Sequence, residues 1–431
     1  MSEVCFINPP RPWLVHPHAQ APIGILYLAA VLEEAGHAVK VYNWAGQPPD
    51  PTHWRIPAAE VYCLTGTWLD VPMVNALAVV IHDKTPSARI LAGGPIALSE
   101  DELNEDINVV VRGEAELDIC ALVAPEAGFQ RTHICTPPTD LDALPFPARH
   151  LWPGPFGGNI FIGGRNYFGG GSTTILTSRG CPHKCAFCAS QALAPRKVRF
   201  RNAESVVEEM ERCVVDYGVR QFRFSDENFN AKSAHVTALC QNIMASDILG
   251  HGDGIAWRTS IAVKPRSHEM FQAMRLAGCK EVSIGIESGD PKVLALLCHE
   301  KIRCPRDAMG ALGMAQESGL LTRALMMCGT PGENAETARL NAPFFTSPNV
   351  DALALATFAP MPGSDIYNRP ELYGCSLRSE MASRGQYLYG PNGRNDPEPA
   401  ITIDDFPFDA LRQSMATQVA AAEATGKIGK G

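Results

Sequence analysis

The sequence predicts two α/β units, the first a doubly wound parallel sheet and the second a partial (β/α)6 barrel. Three observations carry this reading. Short apolar runs alternate with helical patterns to about residue 125, a stretch rich in Pro and Gly covers 136–171, and a longer-spaced alternation resumes behind it. The 431 residues exceed one ordinary domain and suit two.

In the first unit, Val4–Ile7 reads as a buried strand ending in the turn Asn8-Pro9-Pro10. A helix follows over Gly24–Ala35, with Leu26, Leu28, Val31 and Leu32 on its apolar side and Gly36 as its stop. Strands are expected at Ala38–Tyr42, Val61–Leu64, Arg89–Leu91 and Asn108–Val111, with a helix over Val71–His82. Such alternation implies a parallel sheet covered on both faces, with ligands beyond the strand carboxyl ends. That edge carries Asn8 and Pro9, Thr67 and Trp68, Gly93 and Gly94, and Glu114.

Behind the 136–171 linker, six strands are expected at Thr173–Ser178, Gln221–Ser225, Ala256–Ala262, Glu281–Ile286, Thr322–Cys328 and Asp351–Phe358. The clearest helix between them starts at Asn202 and places Val206, Val207, Met210, Val214 and Tyr217 on one face. A loop-rich stretch with Tyr367, Tyr373, Tyr387 and Tyr389 follows Met361. A last helix carries Phe408, Leu411, Met415 and Val419 at helical spacing. The expected domains are 1–135, a linker 136–171, 172–367, and a C-terminal segment 368–431.

Apolar residues make up 45% and charged residues 19%, which excludes a largely disordered chain. A net charge of −9 argues against a nucleic-acid partner, and the one basic run, Arg196 to Arg201, reads as a solvated surface. The N-terminus has no signal-type core and no apolar run approaches a membrane span, so a cytoplasmic, membrane-free protein is expected. Most of the fourteen cysteines, among them Cys5, Cys63, Cys120, Cys213, Cys240, Cys279 and Cys328, read as small buried hydrophobes.

Cys181, Cys185 and Cys188 stand apart. Their C-x3-C-x2-C spacing, in the loop leaving the first strand of the second unit, can wrap one face of a 4Fe–4S cubane. The fourth iron is then free to chelate the amino and carboxylate groups of S-adenosylmethionine. A zinc site completed by His183 is the alternative. Arg258 and Arg323 could pair the methionyl carboxylate, or either could form a structural ion pair in the barrel.

With these motifs in order, the chain resembles the radical S-adenosylmethionine superfamily over most of 173–367. The resemblance implies that Phe187 lies near the adenine and that Ser225, Asp226 and Glu227 hold the methionyl amino group. It further implies that Glu287 and Ser288 approach the ribose and that Gly329, opening Gly-Thr-Pro-Gly-Glu, meets the adenine with backbone. Phe358 to Ser364 is similar to the end of the family's sixth strand.

The first 150 residues resemble the cobalamin-binding domain of the cobalamin-dependent subclass, through Ile7-Asn8-Pro9-Pro10, Pro22 to Ala30, Gly93-Gly94-Pro95, Arg112-Gly113-Glu114 and Asp140 to Pro147. The D-x-H-x-x-G motif that supplies a cobalt-ligating histidine is absent, and His16 and His18 lack its context. Trp68 is placed where it could cover the lower face of the corrin, or simply pack the sheet edge. The resemblance implies methyl transfer to an unactivated carbon or phosphorus centre of a small molecule or natural product. The partners it implies are an external electron donor of flavodoxin or ferredoxin type, with the enzyme a monomer. Cobalamin-assisted cyclisation or rearrangement, and a radical enzyme without cobalamin, are the rival readings. A tRNA methylthiotransferase is disfavoured, because Cys5, Cys63 and Cys120 are scattered and the tail is short and partly acidic.

Overall fold

The computed structural model describes residues 1–14, 21–125, 128, 130–154, 156–157, 160–168, 171–250, 254–298, 301–302, 304–378 and 398–428. His16, His18, Tyr387 and Tyr389 lie outside the described residues. The chain divides into two units, Met1–Gly158 with Ala192–Pro195, and Asn159–Gln191 with Arg196–Gly431.

The first unit runs β1 (Glu3–Asn8), α1 (Ile23–Glu34), β2 (Ala38–Asn43), β3 (Val61–Thr65), α2 (Val71–Lys84), β4 (Arg89–Gly93), β5 (Val109–Arg112), α3 (Ile119–Leu122) and β6 (Thr132–Ile134). Its six strands are parallel in the order β2-β1-β3-β4-β5-β6. Alternate side chains show why both faces are covered. Val4 and Phe6 of β1 join Leu26, Ala29 and Leu32 of α1 in one apolar cluster, while Cys5 and Ile7 join Val74, Leu77 and Ile81 of α2 in another. Leu26 and Leu32 are fully buried, and truncating such a leucine to alanine costs about 2–5 kcal/mol. The strand order reverses between β1 and β3, and the carboxyl ends flanking that switch point are Asn8 and Thr65. Strand β6 escaped the sequence reading because three residues are too few to show a period.

The second unit opens with β7 (Ser172–Ile175) and a two-residue antiparallel pair, β8 (Ser178–Arg179) and β9 (Arg199–Phe200). It continues with α4 (Ala203–Tyr217), β10 (Gln221–Phe224), α5 (Ser233–Ala245), β11 (Ala256–Ile261), α6 (His268–Leu276), β12 (Cys279–Glu287), α7 (Pro291–Cys298), α8 (Pro305–Glu317), β13 (Leu321–Cys328), α9 (Thr337–Thr346) and β14 (Ala352–Thr357). After α10 (Asp365–Asn368) come the antiparallel pair β15 (Cys375–Leu377) and β16 (Ile401–Ile403), and finally α11 (Phe408–Ala424). The strands β7, β10, β11, β12, β13 and β14 form one parallel sheet in chain order, so their carboxyl ends fall along one edge.

Helix α4 begins after Asn202 and stops at Gly218, whose φ of +64° is the left-handed cap that suits glycine. Helix α11 packs on α9 and β14, and the backbone of Lys427 accepts from Leu353 N–H at 3.1 Å, covering the outer edge of β14.

The Pro- and Gly-rich stretch is no free linker. Leu141, Ala148 and Trp152 are buried in the first unit, and Ile160, Phe161 and Ile162 in the second. Phe161 meets Tyr167 edge-on with ring centroids 4.9 Å apart, and both pack near Ala256 at the start of β11. Composition suggested a linker, but the aromatic residues among the prolines and glycines are buried and hold the described part of the segment down.

Candidate active site

The cysteine loop leaves the carboxyl end of β7. Its entrance is fixed by Gly180, with φ of +98°, whose N–H donates to Glu227 Oε2 at 3.1 Å. Ala186 N–H donates to Leu297 O at 2.8 Å, which ties the loop to α7. Gln191 Nε2 donates to His183 O at 2.9 Å and an Arg196 guanidinium nitrogen to Pro182 O at 2.8 Å. Cys185 is buried, Cys181 and Cys188 half-buried, and all three are free thiols. Burial pushes the Cys185 thiol up to about 12 and raises Cys181, while the Lys301 cation acts against burial at both.

The groups expected around the methionyl amine and ribose gather at the same sheet edge. Asp226 is buried, and its Oδ1 accepts from Thr177 N–H at 3.0 Å, Thr177 Oγ1 at 2.8 Å and Ser178 Oγ at 2.6 Å. Its Oδ2 has no partner among the described residues, and neither amide atom of the buried Asn228 has one. Burial lifts the Asp226 carboxyl to about 6. Ser225 is half-buried and Glu227 exposed, and Phe187 sits half-buried beside the last cysteine.

On β12 the register against β13 slips between Gly285 and Glu287, and Glu287 takes a φ of +67°. The kink aims its carboxylate at Lys301 Nζ, 2.5 Å away. A Cβ on Gly285 would stand 2.6 Å from that ammonium and 2.7 Å from Glu287 Oε1, so a side chain there would displace the pair. Ser288 is buried, with its hydroxyl donating to Asn341 Oδ1 at 3.2 Å and accepting from Asp290 N–H at 3.1 Å. Gly329 has a φ of +78°, and a Cβ there would come within 2.7 Å of Met415 Sδ on α11.

Arg258 goes elsewhere. It lies near the amino end of β11, 2.9 Å from the fully buried Glu281, and donates to Ile160 O and to Ser283 Oγ. Arg323 stands 3.9 Å from the same carboxylate, and Ile162 N–H donates to it at 2.7 Å. The guanidinium expected at the methionyl carboxylate is therefore held in an ion cluster at the far end of the sheet. Arg201 of the basic run is likewise spent internally, on Glu209 and Leu176 O.

In the first unit, Asn8 ends β1 buried, with Nδ2 donating to Asn43 Oδ1 at 2.8 Å and its own Oδ1 without a partner among the described residues. Pro9 beside it is buried. Thr67 N–H and Oγ1 both donate to Asp70 Oδ2, at 2.6 and 3.0 Å, and Arg11 pairs with Asp70 at 3.2 Å. Trp68, Gly93, Gly94 and Glu114 are half-buried along this edge.

Residues 175–340 match the family described as the Radical SAM superfamily. Residues 175–340 thus carry a radical SAM domain. It is 26% identical over 381 residues to an uncharacterised methyltransferase of Pyrococcus horikoshii, covering 80% of this chain and 77% of the relative. It is 24% identical to the cytidylyl-2-hydroxyethylphosphonate methyltransferase of Streptomyces wedmorensis, covering 90% and 85%. In fold it is similar to the radical S-adenosylmethionine methyltransferase TsrM from Kitasatospora setae, solved with cobalamin and a 4Fe–4S cluster, with a TM-score of 0.72 over 99% of this chain and 93% of that one, at 19% identity.

A radical SAM enzyme takes a 4Fe–4S cluster and S-adenosylmethionine, and the residues present fit the cluster. Three thiols share one loop, and among the described residues their sulfurs do not gather within 4.8 Å of one another as ligands of a single zinc ion do. Cubane irons spread their thiolates wider. Lys301, which the sequence reading missed, supplies a half-buried cation that acts on Cys181 and Cys185. No motif marks it, because its neighbours are brought to it by the turn after α7.

Proposed function

We propose that this radical SAM enzyme is a cobalamin-dependent methyltransferase acting on an unactivated carbon or phosphorus centre of a small molecule or natural product. The observation that supports it best is the extent of the likeness. Methyltransferase relatives align over 80–90% of the chain, across the cysteine loop and the Rossmann-like first unit together. In this reading residues 1–135 are the cobalamin domain, 172–367 the partial barrel and 368–431 a C-terminal segment.

When bound, the cluster supplies the electron that cleaves S-adenosylmethionine to a 5′-deoxyadenosyl radical, and cobalamin carries the methyl group. Cys181, Cys185 and Cys188 hold the cluster. Asp226, through its unpartnered oxygen, accepts from the methionyl amine beside Ser225 and Glu227. Phe187 and Gly329 flank the adenine, with Glu287 and Ser288 toward the ribose. Asn8, Pro9, Thr67, Trp68, Gly93, Gly94 and Glu114 line the cobalamin edge, where the buried Asn8 Oδ1 is an acceptor in need of a donor. A flavodoxin or ferredoxin supplies electrons.

The test is anaerobic incubation of reconstituted wild type and Cys185→Ala with reductant, hydroxocobalamin and S-adenosylmethionine, read by mass spectrometry. Wild type should form 5′-deoxyadenosine and S-adenosylhomocysteine and retain cobalamin through gel filtration, and the variant should lose deoxyadenosine. Deoxyadenosine without retained cobalamin would remove the cobalamin assignment and leave the cluster.

A further inference from the structure

Outside the cluster loop, one group of three metal-ligating side chains converges among the described residues: Asp118, His133 and Cys135, whose ligand atoms all lie within 4.8 Å of one another. All three belong to the first unit. The arrangement follows from local structure. His133 is in β6 and Cys135 one residue beyond it, two apart, so both side chains leave the extended chain on the same face. Asp118 comes from the turn that carries β5 into α3.

The carboxylate is oriented from behind. Thr136 N–H donates to Asp118 Oδ2 at 2.9 Å, which leaves Oδ1 facing His133 Nε2 at 3.2 Å. That separation is close to the ligand–ligand edge of a tetrahedral zinc site, roughly 3.3 Å for bonds of about 2.0 Å. The Cys135 thiol closes the third corner from the buried side, at 7% residue exposure, with Asp118 and Glu116 near enough to act on its charge. Backing of a ligand by a second hydrogen bond is what metal sites use to fix ligand direction.

We propose that Asp118, His133 and Cys135 bind a single zinc ion. One thiolate, one imidazole and one carboxylate form a mixed set that suits zinc, whereas calcium and magnesium take oxygen donors. Three protein ligands leave a fourth position for water. On binding, the Cys135 thiol gives its proton to solvent, and His133 coordinates as neutral imidazole through Nε2. The ion then joins β6 to the β5–α3 turn. Among the described residues this edge strand is otherwise paired on one side alone, to β5. All three ligands are side chains of the first unit, and none of the cluster cysteines belongs to the set.

The experiment uses the full-length holoenzyme equilibrated with zinc sulfate and desalted, read by elemental analysis and zinc-edge X-ray absorption, an edge that iron and cobalt do not share. About one zinc per chain is expected, with one sulfur and the remaining scatterers nitrogen or oxygen. His133→Ala and Cys135→Ser should lose it, and the full chain carrying Cys181→Ala, Cys185→Ala and Cys188→Ala together should keep it. Asp118→Asn, which preserves shape, guards against misfolding: zinc should raise the thermal midpoint of wild type and leave that of Asp118→Asn unmoved. Absence of zinc from wild type would overturn the proposal. So would zinc with three sulfur neighbours that disappears in the triple-cysteine variant, since that ion would lie in the cluster loop.

Discussion

At the amino end of the second sheet, Glu281 is fully buried among Arg258, Arg323 and the backbone of Ile162, and its charge is matched by neighbours on two strands and a capping segment. At the carboxyl end Asp226 is almost as buried, yet its partners are hydroxyls and one N–H, and one oxygen has none. The first arrangement matches its charge internally. The second leaves its carboxylate without a cation beside it among the described residues, which is what a ligand edge needs. Burial and, among the described residues, an oxygen without a hydrogen bond are common to both ends, since Glu281 Oε1 also lacks one. What separates them is the guanidinium counter-charge present at Glu281.

The largest expected effect tests the closed end. Glu281→Ala leaves buried guanidinium groups without their anion and should cost about 3–5 kcal/mol, read as a lower midpoint in urea denaturation. If stability held while S-adenosylmethionine binding vanished, the two ends would have been assigned the wrong way round. Next comes Glu333, at the turn after β13, where burial lifts the carboxyl from 4.5 to about 7. The folded state then holds its proton more tightly than the unfolded chain does. Stability should fall as pH rises from about 4.5 to 7, by about 3 kcal/mol in all. Glu333→Gln should flatten that dependence in thermal melts taken across the window.

Asp226→Asn sharpens the open end. It should weaken S-adenosylmethionine binding about 10- to 100-fold, the worth of one hydrogen bond to a charged group, in anaerobic equilibrium dialysis. Its thermal midpoint should move far less than that of Glu281→Ala. The smallest effect belongs to the exposed Arg212–Glu208 pair on α4, where Arg212→Ala should change stability by no more than about 0.5 kcal/mol in the same urea assay.

This contrast also explains what was legible in the sequence. All six strands of the second sheet follow from local apolar pattern, and the cysteine loop follows from spacing. The fate of Arg258 does not, because its partner Glu281 stands beside it only through the register of β11 on β12. Lys301 meets Glu287 through a bulge and a helix-terminal turn, and Asp118 meets His133 across the β5–β6 pair. The spacing of His133 and Cys135 was a visible signal that went unused. The Pro and Gly count between 136 and 171 was misleading, since it weighs turns and ignores what Trp152 and Phe161 bury.

Helix α11 lays Met415 against Gly329 and sends Gln418 to Glu333 Oε2 at 3.1 Å and to Asn341 at 2.6 Å. Asn341 in turn holds Ser288 and the Gly289 N–H. The tail thus reaches the ends of β12 and β13 through side chains, although it is far from both in sequence. Anyone recombining this enzyme with its relatives to trade substrate range should keep α11 with the core it was born with. A graft that swaps the tail alone would disturb the turns after β12 and β13.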